Sequence, residues 1–170
     1  MNIRSFIIPA AFLLFQSLGL FASHTLNPEQ KSVIAAWLAA HPDFRMAEDR
    51  DCECDDDINT MRAGDGGEWK PVPDYHPYVA SGDFNSDGIS DFAVVVINKQ
   101  APPDFTLLVF NGPFDVHRPV PAFTWAHQDL KGTGLFFGPP RPKPYRLLIG
   151  PFESEGLVLQ PKGKTYRLEE

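Results

Sequence analysis

Asp83, Asn85, Asp87, Gly88 and Asp91, in the stretch GDFNSDGISDF directly before AVVVI, place carboxylate and amide groups at alternate positions of a short loop. Hard divalent cations take oxygen ligands, and calcium takes about six to eight, more than one regular element can present. A coiled loop can turn Asp83, Asn85 and Asp87 inward. Gly88 supplies the sharp backbone turn, Ile89 lends its carbonyl, and Asp91 closes the shell directly or through a water. Binding of Ca2+ is therefore the chemistry that this spacing predicts. The same residue types also suit a plain polar turn. Such a turn has no need of three carboxylates, whose repulsion a cation relieves.

The pattern departs from an EF-hand in two ways. Val94 stands where the bidentate Glu would be, and Phe92 to Ile97 is apolar and β-branched, the composition of a buried strand rather than a helix. With Gly82 before it and Phe92 after it, the segment resembles the D-x-[DN]-x-D-G-x-x-D-[FL] loop of FG-GAP and VCBS-type repeats over residues 79–97. The resemblance implies a calcium ligand set of Asp83, Asn85, Asp87, Ile89 and Asp91. In those families several copies build a β-propeller, whose blades need roughly 40–50 residues each. Only one copy is found in this sequence, so a complete propeller is not expected.

A catalytic set is harder to find. G-x-S-x-G is absent, and no serine or cysteine partner is evident for His76, in PDYHPY beside Asp74, or for His127, just after Trp125. The preferred expectation is a calcium-stabilised, non-catalytic binding module, not an enzyme, whose partner is a protein or a cell-surface glycan. Two alternatives stand beside it: an exported hydrolase using His76 or His127, and a small secreted inhibitor or immunity-type protein.

Residues 1–22 combine Arg4, an apolar run from Phe6 to Phe15 and beyond, and small residues near the end, the layout of a signal peptide. Export to the periplasm or the medium is expected, with a single globular domain over 23–170, no later membrane association, and a monomer. Removing that segment takes away Arg4 and no acid, leaving the rest more negative than the formal −7 of the whole chain and making nucleic acid a poor partner. Eight acids crowd residues 43–57, and Asp55 to Asp57 suit the first turn of a short helix. Cys52 and Cys54 could chelate a soft metal with Met46 or His41, but in an oxidising compartment a local disulfide is the simpler reading. The proline-rich 138–145 stretch reads as a stiff loop, with Arg141, Lys143 and Arg146 as an optional contact surface.

The positioning elements divide into a helical part, 27–64, and a β-rich part, 78–170. Asn27-Pro28-Glu29 starts a helix over 28–40 with Val33, Ile34, Trp37 and Leu38 on one stripe, stopped at His41-Pro42. Strands are predicted at 78–82, 91–98, 105–110, 121–126, 134–137, 145–149, 156–160 and 165–169. Phe105–Phe110 runs into Asn111-Gly112, and 157–159 faces 166–168 across Pro161 and Gly163, both consistent with antiparallel pairs. The expected class is α+β: one or two N-terminal helices on a twisted antiparallel sheet of about six to eight strands, carrying one calcium loop.

Overall fold

The computed structural model describes residues 24–64, 70–101, 103–139, 141, 143–152 and 154–170, so the signal peptide expected at 1–22 lies outside the described residues. Helix α1 spans Pro28–Ala40, as predicted. Asn27 accepts from the Gln30 amide at 2.9 Å while the Gln30 side chain accepts from the Asn27 amide at 3.0 Å, a reciprocal cap. His41 ends the helix, stacking on Trp37 at 4.0 Å and bonding its Nδ1 to the Trp37 carbonyl. Two short elements at 44–52 have no periodic signal and were not predicted: strand β1 (Phe44–Met46) and helix α2 (Asp49–Cys52). Helix α3 (Asp55–Ala63) follows, with Asp55, Asp56 and Asp57 in its first turn as expected.

The β-rich part forms two sheets rather than one. β2 (Val79–Gly82), β3 (Asp91–Asn98), β4 (Phe105–Phe110) and β5 (Phe123–Gln128) join β1 in a five-stranded antiparallel sheet. β1 and β2 pair with opposite ends of β3 along the edge that β4 does not occupy. β6 (Thr133–Phe136), β7 (Leu147–Pro151), β8 (Leu157–Lys162) and β9 (Thr165–Glu169) form a four-stranded antiparallel meander. The class is broadly α+β, and the single-sheet expectation gives way to a layered arrangement.

The reason lies in β3, where Asp91 to Ile97 are all buried. Its even-numbered residues Phe92, Val94 and Val96 pack with Val33, Ile34 and Trp37 of α1. Its odd-numbered residues Ala93, Val95 and Ile97 belong to a second core with Leu135, Leu147, Ile149 and Leu159 of the meander. A strand covered on both faces reads as an unbroken apolar run. Each fully buried aliphatic or aromatic side chain contributes about 1.5–3 kcal/mol, so α1 and the meander are both tightly held. The β4–β5 pair is antiparallel, but its connection is the long 111–122 segment rather than a turn at Asn111-Gly112. The β8–β9 hairpin matches its prediction. Among the described residues, no helix is long and apolar enough to cross a membrane.

Candidate functional site

The 83–91 loop joins β2 to β3, whose register closes at Gly82 opposite Asp91. Phe84 is fully buried and meets the Phe137 ring edge-on at 5.0 Å, which pins the loop to the core beneath. Gly82 is required by the same ring, because a Cβ there would lie 2.2 Å from it. Beyond Phe84 the chain coils: Asp83 accepts from the amides of Asp87 (3.0 Å) and Gly88 (2.9 Å), and Asn85 also accepts from the Asp87 amide (2.9 Å). Asp87 in turn accepts from the Ile89 amide at 2.8 Å and from the Asn85 side-chain amide at 2.9 Å. Ser86 and Gly88 take left-handed backbone, with φ of 65° and 86°. Arg146 donates to the Ser86 hydroxyl at 3.0 Å. No ion pair reaches Asp83 or Asp87 among the described residues.

Asp91 behaves differently. It is fully buried, with Oδ2 accepting from the Phe84 amide (2.9 Å) and the Tyr166 hydroxyl (3.3 Å), and Oδ1 accepting from the Gly112 amide (3.1 Å). Burial pushes its pKa up to about 6, against the pull of the Gly112 and Phe84 amides and with a further push from the Asp87 charge. The single Tyr166 hydroxyl proton is shared between Asp91 and the closer Asn111 oxygen, at 2.6 Å, and Asp91 ties the loop both to the 111–122 segment and to the meander.

These contacts test the loop against a hard cation. Asp83 and Asn85 bring oxygens to one amide, and each keeps a second lone pair; Asp87 stands two residues on with both oxygens in the same coil. Asp91 instead turns both oxygens to protein donors. Among the described residues, no three carboxylate, imidazole or thiol groups gather around one centre. Asp83, Asn85 and Asp87 thus lie together on the coil, while Asp91 bonds inward to Phe84, Gly112 and Tyr166. Cys52 and Cys54 are joined in a disulfide and are not available as thiolate ligands.

Two grooves lie elsewhere. The first, a space of about 560 Å³, is lined by His24, Lys31, Glu48, Asp49, His76 and Tyr78 among others. Asp49 lies 2.9 Å from Nδ1 of His76 and pairs with Arg62, whose guanidinium also donates to the Tyr75 carbonyl. Burial opposes the charged form of Asp49, but hydrogen bonds from His76 and Arg62 outweigh it and hold the carboxyl below its ordinary range. His24 is buried, with Nδ1 3.1 Å from the Val79 carbonyl and its ring 4.6 Å from that of Tyr75. Burial lowers its pKa and favours the neutral ring. His24 and Asp49 escaped the sequence reading because nothing local marks them: 52 and 27 positions separate them from His76.

The second groove, about 440 Å³, has Trp125 on its wall with Asp129, Glu155 and Glu170, and a floor that includes Gly150 and Gly156. Those two glycines approach so closely that a Cβ on Gly150 would lie 2.6 Å from the Gly156 Cα. His127 lines neither groove; it is exposed, takes φ of 60°, and lies 3.2 Å from both oxygens of Asp104. Trp37 is buried against the sheet, as expected. No protein-family model matches the chain, and no curated protein or solved structure is detectably similar to it.

Proposed function

We propose that this is an exported, non-catalytic module, stabilised by calcium, that binds a cell-surface glycan in the groove beside Trp125. The observation that carries the reading is the groove itself. A half-buried indole stands there with Asp129, Glu155 and Glu170, none of which has an ion-pair partner among the described residues. Sugars offer C–H faces that pack on an aromatic ring and hydroxyls that donate to carboxylates, and three acids favour neutral or amino-bearing sugars over acidic ones. A glycan array probed with the wild type and with Trp125→Ala tests this. Retention of glycans by the wild type alone is expected, whereas equal binding by both, or binding of proteins only, overturns it.

Calcium would be held by Asp83, Asn85 and Asp87, with the Ile89 carbonyl, while Asp91 anchors the loop from inside. The support is the uncompensated charge of Asp83 and Asp87 on a loop already coiled around its own oxygens. At the roughly 0.1–1 mM affinity of extracellular modules, millimolar calcium adds about 0.4–1.4 kcal/mol. Calorimetric titration and melting in EDTA measure it; no heat and an unchanged melting point would count against the ion. Export is supported by the N-terminal apolar run and by the Cys52–Cys54 bond, which suits an oxidising compartment.

One observation favours a second reading, an exported hydrolase. Asp49 orients His76 in the first groove as a carboxylate orients a general base. That reading requires turnover of some substrate in a hydrolase panel, lost on His76→Ala.

A further inference from the structure

We propose that Asn111 and Gly112, just after β4, form a self-modifying site at which the chain cyclises and loses ammonia with the help of Asp91 and Tyr166. Asn111-Gly112 is the one Asn-Gly pair in the sequence. Covalent geometry already keeps the Gly112 nitrogen close to the side-chain carbonyl carbon of Asn111, and a glycine nitrogen is unhindered. The fold adds a group at each end of the reaction. Gly112 donates its amide proton to Oδ1 of Asp91 at 3.1 Å, and Oδ1 of Asn111 accepts from the Tyr166 hydroxyl at 2.6 Å. An acceptor therefore stands on the attacking nitrogen and a donor on the oxygen that takes up negative charge, the pairing that lowers the barrier to acyl transfer. The neighbouring loop keeps this position a glycine, because a Cβ on Gly112 would lie 2.7 Å from the Ser90 carbonyl oxygen.

In the first step the Gly112 nitrogen attacks Cγ of Asn111 and its proton passes to the Asp91 carboxylate. The Asn111 oxygen becomes an oxyanion that the Tyr166 hydroxyl holds. Collapse of that intermediate expels the side-chain nitrogen, which takes back the proton from Asp91 and leaves as ammonia, and the chain is left as a cyclic imide. Solvent water then opens one or other imide carbonyl, giving aspartate or isoaspartate at position 111. Asn111 and Gly112 are half-buried and Pro113 is exposed, so water reaches the imide. Either product sets a new carboxylate beside Asp91, where like charges repel. The proposal is independent of the glycan and calcium readings.

The test incubates the whole folded protein at neutral pH and follows residue 111 by peptide mapping, which separates asparagine, cyclic imide, aspartate and isoaspartate. A synthetic peptide of residues 108–114 supplies the unassisted rate. Asn111 in the folded protein should be modified at least about tenfold faster than in the peptide. Tyr166→Phe, which keeps the ring and removes only the donor, should bring the rate back towards that of the peptide, as should Asp91→Asn. Circular dichroism checks that each variant is folded, and Tyr166→Phe decides the matter should Asp91→Asn unfold. The proposal is overturned if folded wild type is modified no faster than the peptide, or if a folded variant is modified as fast as wild type.

Discussion

The 83–91 loop and the His24–His76 groove hold polar chemistry of opposite kinds. The loop draws its oxygens from nine consecutive residues and closes them with backbone amides of the same segment. The groove assembles side chains from the approach to α1, from α2 and from the approach to β2, with Asp49 and His76 bonded across 27 positions. A contiguous site can be read along the chain, whereas an assembled one exists only once the sheet has formed. Within the loop the same division recurs: Asp83 and Asn85 are half-buried and Asp87 exposed, while Asp91 belongs to the interior.

The sharpest way to break this contrast is at Asp91. Asp91→Ala leaves the Phe84 and Gly112 amides without their buried acceptor, and should cost about 3 kcal/mol or more in urea unfolding. Asp83→Ala, which removes two exposed amide bonds, should cost about 1 kcal/mol. Equal losses would erase the distinction between anchor and rim.

Asp91 also sets a pH dependence. Its folded pKa, about 6, lies above that of an unfolded aspartate, so its contribution is fully present below the unfolded value and is lost as pH rises through about 6. In EDTA the melting point should rise as pH falls from about 7 to about 5, a trend absent in Asp91→Asn. Asp49 and Asp51 act in the other direction. Burial opposes the Asp49 charge but His76 and Arg62 prevail, and the Arg45 hydrogen bond lowers Asp51, so their contribution is lost as pH falls below the ordinary carboxylate range. Buried His24, with its lowered pKa, acts against Asp91 in this window, so the difference between wild type and Asp91→Asn is the test: the same pH dependence in both between pH 5 and 7 would remove Asp91 from the interior.

Gly88→Ala probes the backbone alone, since a Cβ there meets nothing within 4 Å while φ is 86°. The expected loss is about 1–2 kcal/mol, with Gly88→Asn losing less. The smallest effect should come from reducing Cys52–Cys54. Its ring spans a sequence separation of two, so the gain in unfolded-state entropy falls well short of the roughly 3 kcal/mol of a 15-residue loop.

The sequence was most legible where one element carries one pattern. Asn27-Pro28 and the stop at His41-Pro42 define α1, and β3, β4 and β9 occupy their predicted residues because each is a dense run between turn residues. β1 and α2, of three and four residues, are too short for any period to show. β5 begins at Phe123, two residues beyond its predicted start at 121, because Ala122 is engaged outside the strand, its amide on Val109 and its carbonyl on Thr165. The division into two sheets was encoded in the unbroken apolar run of β3, which announces two covered faces without naming the cover. In the candidate site, the coil of Asp83, Asn85, Asp87 and Gly88 was legible from spacing. The inward turn of Asp91 was not, because it depends on Gly112 and Tyr166, 21 and 75 positions away.

Tyr166 lies four residues from the C-terminal end of the sequence, yet its hydroxyl completes the bonding of Asp91 and Asn111 in the other sheet. A chain emerging from a ribosome can lay down α1 and the five-stranded sheet early, but it cannot lock the loop until β9 is free. Molecules in which β9 is missing or not yet made should therefore be open to proteases at 83–91, so that loss of one strand is read out 75 positions away.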